Sequence, residues 1–365
     1  MNLKRILTFL AIISFLSLFL NACAPSEKDK SDTQGTGGTS TTQPTVTVGY
    51  QGMLNPWKAA IENKRFAQVT GREITWRKFN SGAEVITAMA SGDVDLAVAG
   101  SSPIATGMSR GLELELVWIL EAIEANEALI ARQGSGIETI QDLKGKTVGV
   151  PFASTTHYHL LFALEHNKID TKDLKILNLQ PDAIAASWAQ DRIGAAFIWS
   201  PVLDQLKANG KVIVSSGELA KLGRPTFDGL IAQQAFAQQN PEFMAQFIGV
   251  IAAADADYRD NAAAWTPDSP QVQAIAKVTG AKAADVTQVL SQYQFPDLTR
   301  QVSSQWLGGG KNQGAAKALA DTAEFLKAEQ KISEVLPDYS RYVNASYAQA
   351  ALAMNPVASA APAAP

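Results

Sequence analysis

The run Ser154-Thr155-Thr156-His157 gathers three hydroxyls and an imidazole with no acid among them. Before it lies Val148-Gly149-Val150, short and apolar, which predicts a buried strand; after it Leu160, Leu161 and Leu164 are spaced as the inner face of a helix. A helix that begins in such a run leaves backbone N–H groups unpaired beside Ser and Thr oxygens, and its dipole adds about half a positive charge there. The chemistry this favours is anion binding. One such corner needs to be no more than a helix cap. The chain repeats it, however: Val94 to Ala99 leads into Gly100-Ser101-Ser102-Pro103, and proline suits the first position of a helix. Two corners facing each other across a cleft would hold a small tetrahedral anion.

Catalytic patterns are missing from the same sequence. His157 and His159 are two apart, so they point to opposite faces of a helix, and His166 is off-face as well; no metal cluster follows. There is a single cysteine, no His-Glu-x-x-His and no Gly-x-Ser-x-Gly. Gly145-Lys146-Thr147 mimics the end of a phosphate-binding loop, but it precedes a strand and Ile140 stands where that loop needs glycine. Gly308-Gly309-Gly310-Lys311 is followed by Asn312, again no match. Asp255 and Asp257, mid-helix on different faces, read as solvated. A binding protein is expected, without catalytic residues, cofactor or metal.

The elements that must position these corners alternate along the chain. Apolar runs at 45–50, 74–79, 94–99, 112–120, 128–131, 146–150, 174–179, 195–199, 211–214 and 228–232 read as strands. Between them, sets such as Trp57, Ala60, Ile61, Phe66 and Val85, Ile86, Met89 read as helix faces, and from Phe236 onward the chain reads as helical. Strands alternating with helices predict a parallel sheet covered on both faces, with ligands beyond the strand carboxyl ends. Tyr50, Gln51, Ser81, Ser101 and Ser102 fall at such ends. Glu127 opens one crossing between lobes and Asp228 the return crossing, the connectivity of a hinged clamshell. The expected division is 45–127 plus 233–345 as one lobe and 128–232 as the other.

At 365 residues with 46% hydrophobic content the chain can bury cores for two domains. The formal charge of −4 and the lack of a dense basic patch exclude nucleic acid as a partner. Residues 1–22 read as a lipoprotein signal peptide: Lys4 and Arg5, an apolar run, then Leu20-Asn21-Ala22-Cys23, which resembles a bacterial lipobox. The expectation is a lipidated Cys23, a flexible tether over 23–44, a tail over 346–365, and a protein in the periplasm or at the cell surface held to the membrane by its lipid alone.

Pro151-Phe152-x-Ser154-Thr155-Thr156-His157-Tyr158, Gly100-Ser101-Ser102-Pro103 and Trp199-x-Pro201 together resemble the sulfonate/nitrate/taurine solute-binding family of ABC importers, and within it the taurine-binding periplasmic proteins. Trp76-Arg77-Lys78-Phe79, Ser81-Gly82-Ala83, Asn178-Leu179-Gln180-Pro181 and Pro225-Thr226-x-Asp228 extend the match in order over roughly 45–342. The resemblance implies an α/β, type II periplasmic-binding-protein fold of two lobes with a two-crossing hinge. It implies a monomer that captures taurine and delivers it to an ABC permease and its ATPase. Position by position it implies that Ser154, Thr155, Thr156 and His157 receive the sulfonate, with Ser101 and Ser102 facing them. Glu127 and Asp228 would hold the ammonium, and Gln51, Ser81 and Trp199 would line the cleft.

Residue chemistry agrees, since a sulfonate stays ionised and needs donors while an ammonium needs carboxylates. Unsubstituted aliphatic sulfonates are the alternative ligand within the class, although they would leave two buried acids uncompensated. An enzyme or a sensor domain on the same fold is the alternative outside it. Gly229 and Leu230 depart from the bulkier apolar residue and aromatic expected after Asp228, which predicts a looser wall around the two-carbon spacer.

Overall fold

The computed structural model describes residues 44–354. The expected signal segment, Cys23, the tether up to residue 43 and residues 355–365 lie outside the described residues. Ten strands among the described residues form two five-stranded sheets. The chain first lays down β1 (Val46–Tyr50), β2 (Ile74–Lys78), β3 (Leu96–Gly100) and β4 (Leu114–Ala122). It then builds β5 (Glu127–Arg132), β6 (Thr147–Val150), β7 (Lys175–Asn178), β8 (Ala195–Trp199) and β9 (Gly210–Ser215), and returns with β10 (Phe227–Gln233). The strand orders are β2-β1-β3-β10-β4 and β7-β6-β8-β5-β9.

Within each sheet one strand runs against the others. β1 pairs with β2 and β3 in parallel, and β6 with β7 and β8, whereas β10 is antiparallel to β3 and β4 and β5 is antiparallel to β8 and β9. The two crossings between sheets explain this. β4 leaves the first sheet at its carboxyl end, and only Ile123-Glu124-Ala125-Asn126 separate it from β5 in the second; β10 makes the return. The strand that crosses must therefore start at the end where its neighbours finish. The acids that open these strands consequently meet strand carboxyl ends, with Glu127 opposite Trp199 and Asp228 opposite Gly100 and Glu121.

The expected lobe boundary at residue 232 falls inside β10. That strand belongs to the first sheet, where Phe227 to Ala232 are buried between β3 and β4. Nor does a tail begin at 346: Ser346–Met354 is a helix that buries Tyr347, Ala348 and Ala351 and packs on the helix Pro241–Asn261. The latter helix also packs on Trp57–Glu62 and Arg65–Thr70, bringing Phe247 to 4.5 Å from Phe66 between ring centres. A second apolar cluster, unanticipated from the sequence, joins Leu54 and Ala59 to Trp265, Val272, Ile275, Val286 and Leu290. Each such side chain, fully buried, contributes roughly 1.5–3 kcal/mol. Among the described residues no helix is long and apolar enough to cross a membrane.

Candidate functional site

A cavity of about 20 Å³ lies between the two sheets' carboxyl ends, lined by Gln51, Met53, Gly82, Gly100, Pro103, Asn126, Glu127, Ser154, Thr155, Trp199 and Asp228. Six of the expected site residues line it: Gln51, Glu127, Ser154, Thr155, Trp199 and Asp228. Gly100 is what allows so close an approach. A Cβ there would stand 2.7 Å from Thr155 Cγ2 and 3.4 Å from Asp228 Oδ1.

The second-lobe corner uses much of its own polarity. Ser154 Oγ accepts from the His157 backbone N–H at 3.1 Å and lies 2.6 Å from Pro151 O and 2.7 Å from Thr156 Oγ1. Ala153, at φ +58°, holds a left-handed conformation that is costly for a residue with a Cβ. His157 and Thr156 do not line the cavity. The His157 ring stacks on Phe152 at 4.4 Å, and its Nδ1 accepts from Ala153 N–H at 3.3 Å. Burial holds its pKa down to about 4, so it is a neutral acceptor rather than a cation for an anion.

Free donors are found on the first lobe instead. The helices Gly82–Ala90 and Ser101–Ser109 start without a side-chain cap. Their starts touch, since a Cβ on Gly82 would lie 2.5 Å from Pro103 Cγ. Ser81 and Ser102, beside lining residues but not lining the cavity themselves, are fully buried with no partner for either hydroxyl. Ser101 Oγ accepts from Phe227 N–H at 3.4 Å, which uses a lone pair and leaves its O–H to donate.

The acids are more numerous than expected. Glu121, at the end of β4, is fully buried in register with Asp228 and accepts from Asn55 Nδ2 at 3.1 Å. Its other carboxyl oxygen has no partner. Burial, then the neighbouring Asp228, raises the Glu121 pKa well above the carboxylate range; burial pushes Asp228 up to about 6, with Glu121 and Lys58 pulling the other way. Glu127, accepting from Thr155 Oγ1 at 2.6 Å, is pushed up to about 8 by burial and by Asp228. Lys58 is the buried cation nearby. Its Nζ donates to Gln51 O at 2.6 Å and to Met53 O, and burial lowers its pKa to about 7 although Glu121 pulls the other way. The Tyr293 hydroxyl, buried without a partner, sits in the field of Glu121, Asp228 and Glu127.

Two expectations need correcting beside this cluster. Asp255 is not solvated: it is 1% exposed, neither carboxyl oxygen has a partner, and burial raises its pKa well above the ordinary value. Gly229 does not shape the spacer wall, because a side chain there would point at Leu116 and Ile104 in the core behind the sheet.

The NMT1/THI5 like family profile matches residues 70–262, more than half of the chain. A taurine-binding periplasmic protein from Escherichia coli (strain K12) is 36% identical over 304 residues, 83% of this chain and 92% of its relative. Among solved structures, the periplasmic aliphatic sulphonate binding protein from Escherichia coli superposes with a TM-score of 0.65 at 21% identity, covering 82% of this chain and 97% of the other. A desulfurization enzyme reaches a TM-score of 0.60 at 16% identity over 86% and 99%, so this fold alone does not separate binding from catalysis. Shared sequence over most of both chains does what shape cannot: the chain belongs to the NMT1/THI5-like family, beside a taurine-binding periplasmic protein with which it aligns over most of its length.

Proposed function

We propose that the protein is the solute-binding component of an ABC importer and that its ligand is taurine, held between the lobes by its sulfonate and ammonium groups. One observation carries this reading: Glu127 and Asp228 line one small cavity, with Glu121 buried beside Asp228 and Lys58 as the buried counter-cation. Such an excess of buried acid is costly unless protons or a cation compensate it. A ligand ammonium between Glu127 and Asp228 does so. The sulfonate then meets the starts of Gly82–Ala90 and Ser101–Ser109, where uncapped N–H groups and the Ser81 and Ser102 hydroxyls await an acceptor, with Thr155 opposite and Trp199 closing the wall. The desulfurization reading finds no support in this cavity, which holds no cysteine or serine nucleophile beside a free base. Transfer to a permease and its ATPase, and a monomeric, lipid-tethered form outside the cytoplasm, belong to the same proposal.

One feature favours a receptor for unsubstituted sulfonates. Glu127 already has hydroxyl partners in Thr155 and Ser216, and a protonated Glu127 needs no cation. Thermal shifts with taurine, butanesulfonate and sulfate separate the two. At a hundred times the dissociation constant a bound ligand adds about 2.7 kcal/mol, a rise of several degrees in Tm. The proposal expects that rise with taurine; a rise with butanesulfonate and none with taurine would transfer the function to the unsubstituted ligands.

A further inference from the structure

His159, two residues beyond His157, is fully buried and makes a different set of contacts. Its Nε2 lies 2.8 Å from Arg224 O, and its Nδ1 lies 2.7 Å from Ser216 Oγ. Ser216 Oγ is in turn 3.2 Å from Glu127 Oε2, whose other oxygen accepts from Thr155. A carbonyl oxygen only accepts, so Nε2 carries the hydrogen. A neutral imidazole with that tautomer offers a lone pair at Nδ1, and the single Ser216 proton goes there. Ser216 then has none left for Glu127. An imidazolium would free the Ser216 proton for an ionised Glu127, but with the ring neutral their contact closes only if Glu127 carries a proton and donates it.

The surroundings agree. Burial holds His159 down to about 4, and burial and Asp228 hold Glu127 up to about 8. Around the chain stand Tyr158 and Phe197, which flank the His159 ring, and Arg224, whose guanidinium lies 5.3 Å from the Phe162 ring centre and 5.4 Å from that of Phe325. On the cavity side Glu127 meets Asp228, with Glu121 and Lys58 behind it and the Tyr293 phenol beside them.

We infer that His159 is a positioning residue that, through Ser216, obliges Glu127 to keep a proton until a ligand ammonium enters, so that capture of an aminosulfonate expels that proton. The Glu127 O–H bond breaks, the proton passes to solvent, and the carboxylate accepts an ammonium N–H, while Ser216 stays on His159. This rests on the aminosulfonate reading above for its ligand, but the tautomer chain does not.

Two measurements on the full protein test it. Calorimetry in two buffers of different ionisation enthalpy at pH 7 should report release of about one proton per taurine, and none with butanesulfonate. Nitrogen–proton correlation spectra of the three histidines should show ligand-free His159 neutral with its proton on Nε2. An imidazolium or an Nδ1–H tautomer there would overturn the chain whether or not taurine binds. His159→Phe frees Ser216 to donate to Glu127, so its proton release should fall to under about half; release equal to the wild type would remove His159 from the device. Failure of taurine to bind at all would sink the ligand assignment and leave the spectra to decide the tautomer.

Discussion

Asp228 and Glu121 stand in register across β10 and β4, both buried, and burial raises both carboxyls. Two buried carboxylates side by side resist ionising together, so a neutral Glu121 leaves Asp228 free to meet an ammonium. Glutamine keeps the shape of a neutral Glu121 without its proton. Glu121→Gln should therefore keep taurine affinity within about threefold, whereas Glu121→Ala, which leaves Asp228 unsupported, should lose about tenfold or more by calorimetry. Equal losses would mean that the charge of Glu121 matters, not its shape. The sequence announced Glu127 and Asp228, because each stands alone at the head of an apolar run. Glu121 and Lys58 were hidden for the opposite reason: each is a single charged residue inside a pattern that otherwise reads as a buried strand or a helix face. The family resemblance implies a sulfonate contact for His157; its rotamer, decided by Phe152 and Ala153, cannot be read from the sequence.

Strand direction, more than strand position, builds the site. Apolar period and length located all ten strands to within a few residues, yet period carries no information on direction. The antiparallel entry of β5 and β10, which brings Glu127 and Asp228 to the carboxyl ends of their neighbours, emerged only from the pairing. The helices Pro270–Thr279 and Ala283–Leu290 lie in the stretch that reads as helical, but the separate apolar cluster they form beside Tyr293 does not show in the sequence, because their apolar faces are short and Ala-rich. Two glycines separate the roles of these strands. Gly100→Ala places a methyl group 2.7 Å from Thr155 Cγ2 and should hold the lobes apart, lowering taurine affinity by about tenfold with little change in Tm. Gly229→Ala places one 2.5 Å from Leu116 Cδ1, and should cost about 1–3 kcal/mol of stability by denaturant titration while affinity persists. Reversed outcomes would return Gly229 to the pocket wall.

For the molecule as a whole, the buried acids tie stability to pH. Asp228, raised to about 6, and Glu127, raised to about 8, bind more protons folded than unfolded. Their contribution is therefore complete below the ordinary carboxyl values and is lost as pH climbs through about 6 and about 8. Lys58, lowered to about 7, has the opposite sign and restores stability above neutrality. His157 and His159, held down to about 4, also gain stability as pH rises toward the ordinary imidazole value, so Asp228 is isolated by comparison. Between about pH 5 and pH 7 the ligand-free Tm of wild type should fall relative to that of Asp228→Asn, and the increment from taurine should grow; a wild-type Tm that rises relative to the variant there would contradict the buried-acid account. A cavity of about 20 Å³ admits little more than a water molecule, so a two-ended guest must part the lobes to enter. If the lobes stand apart before the guest enters and close on it, small-angle scattering should show the radius of gyration fall when taurine is added; an unchanged radius would count against a moving hinge.

The most direct trial of the central claim compares two ligands on two proteins, taurine and butanesulfonate against wild type and Asp228→Asn. Removing one charge of a buried pair typically costs about 2–5 kcal/mol, so Asp228→Asn should weaken taurine by at least about thirtyfold and butanesulfonate by no more than about threefold. Equal weakening of both would make Asp228 a structural carboxylate and leave the ammonium without its partner.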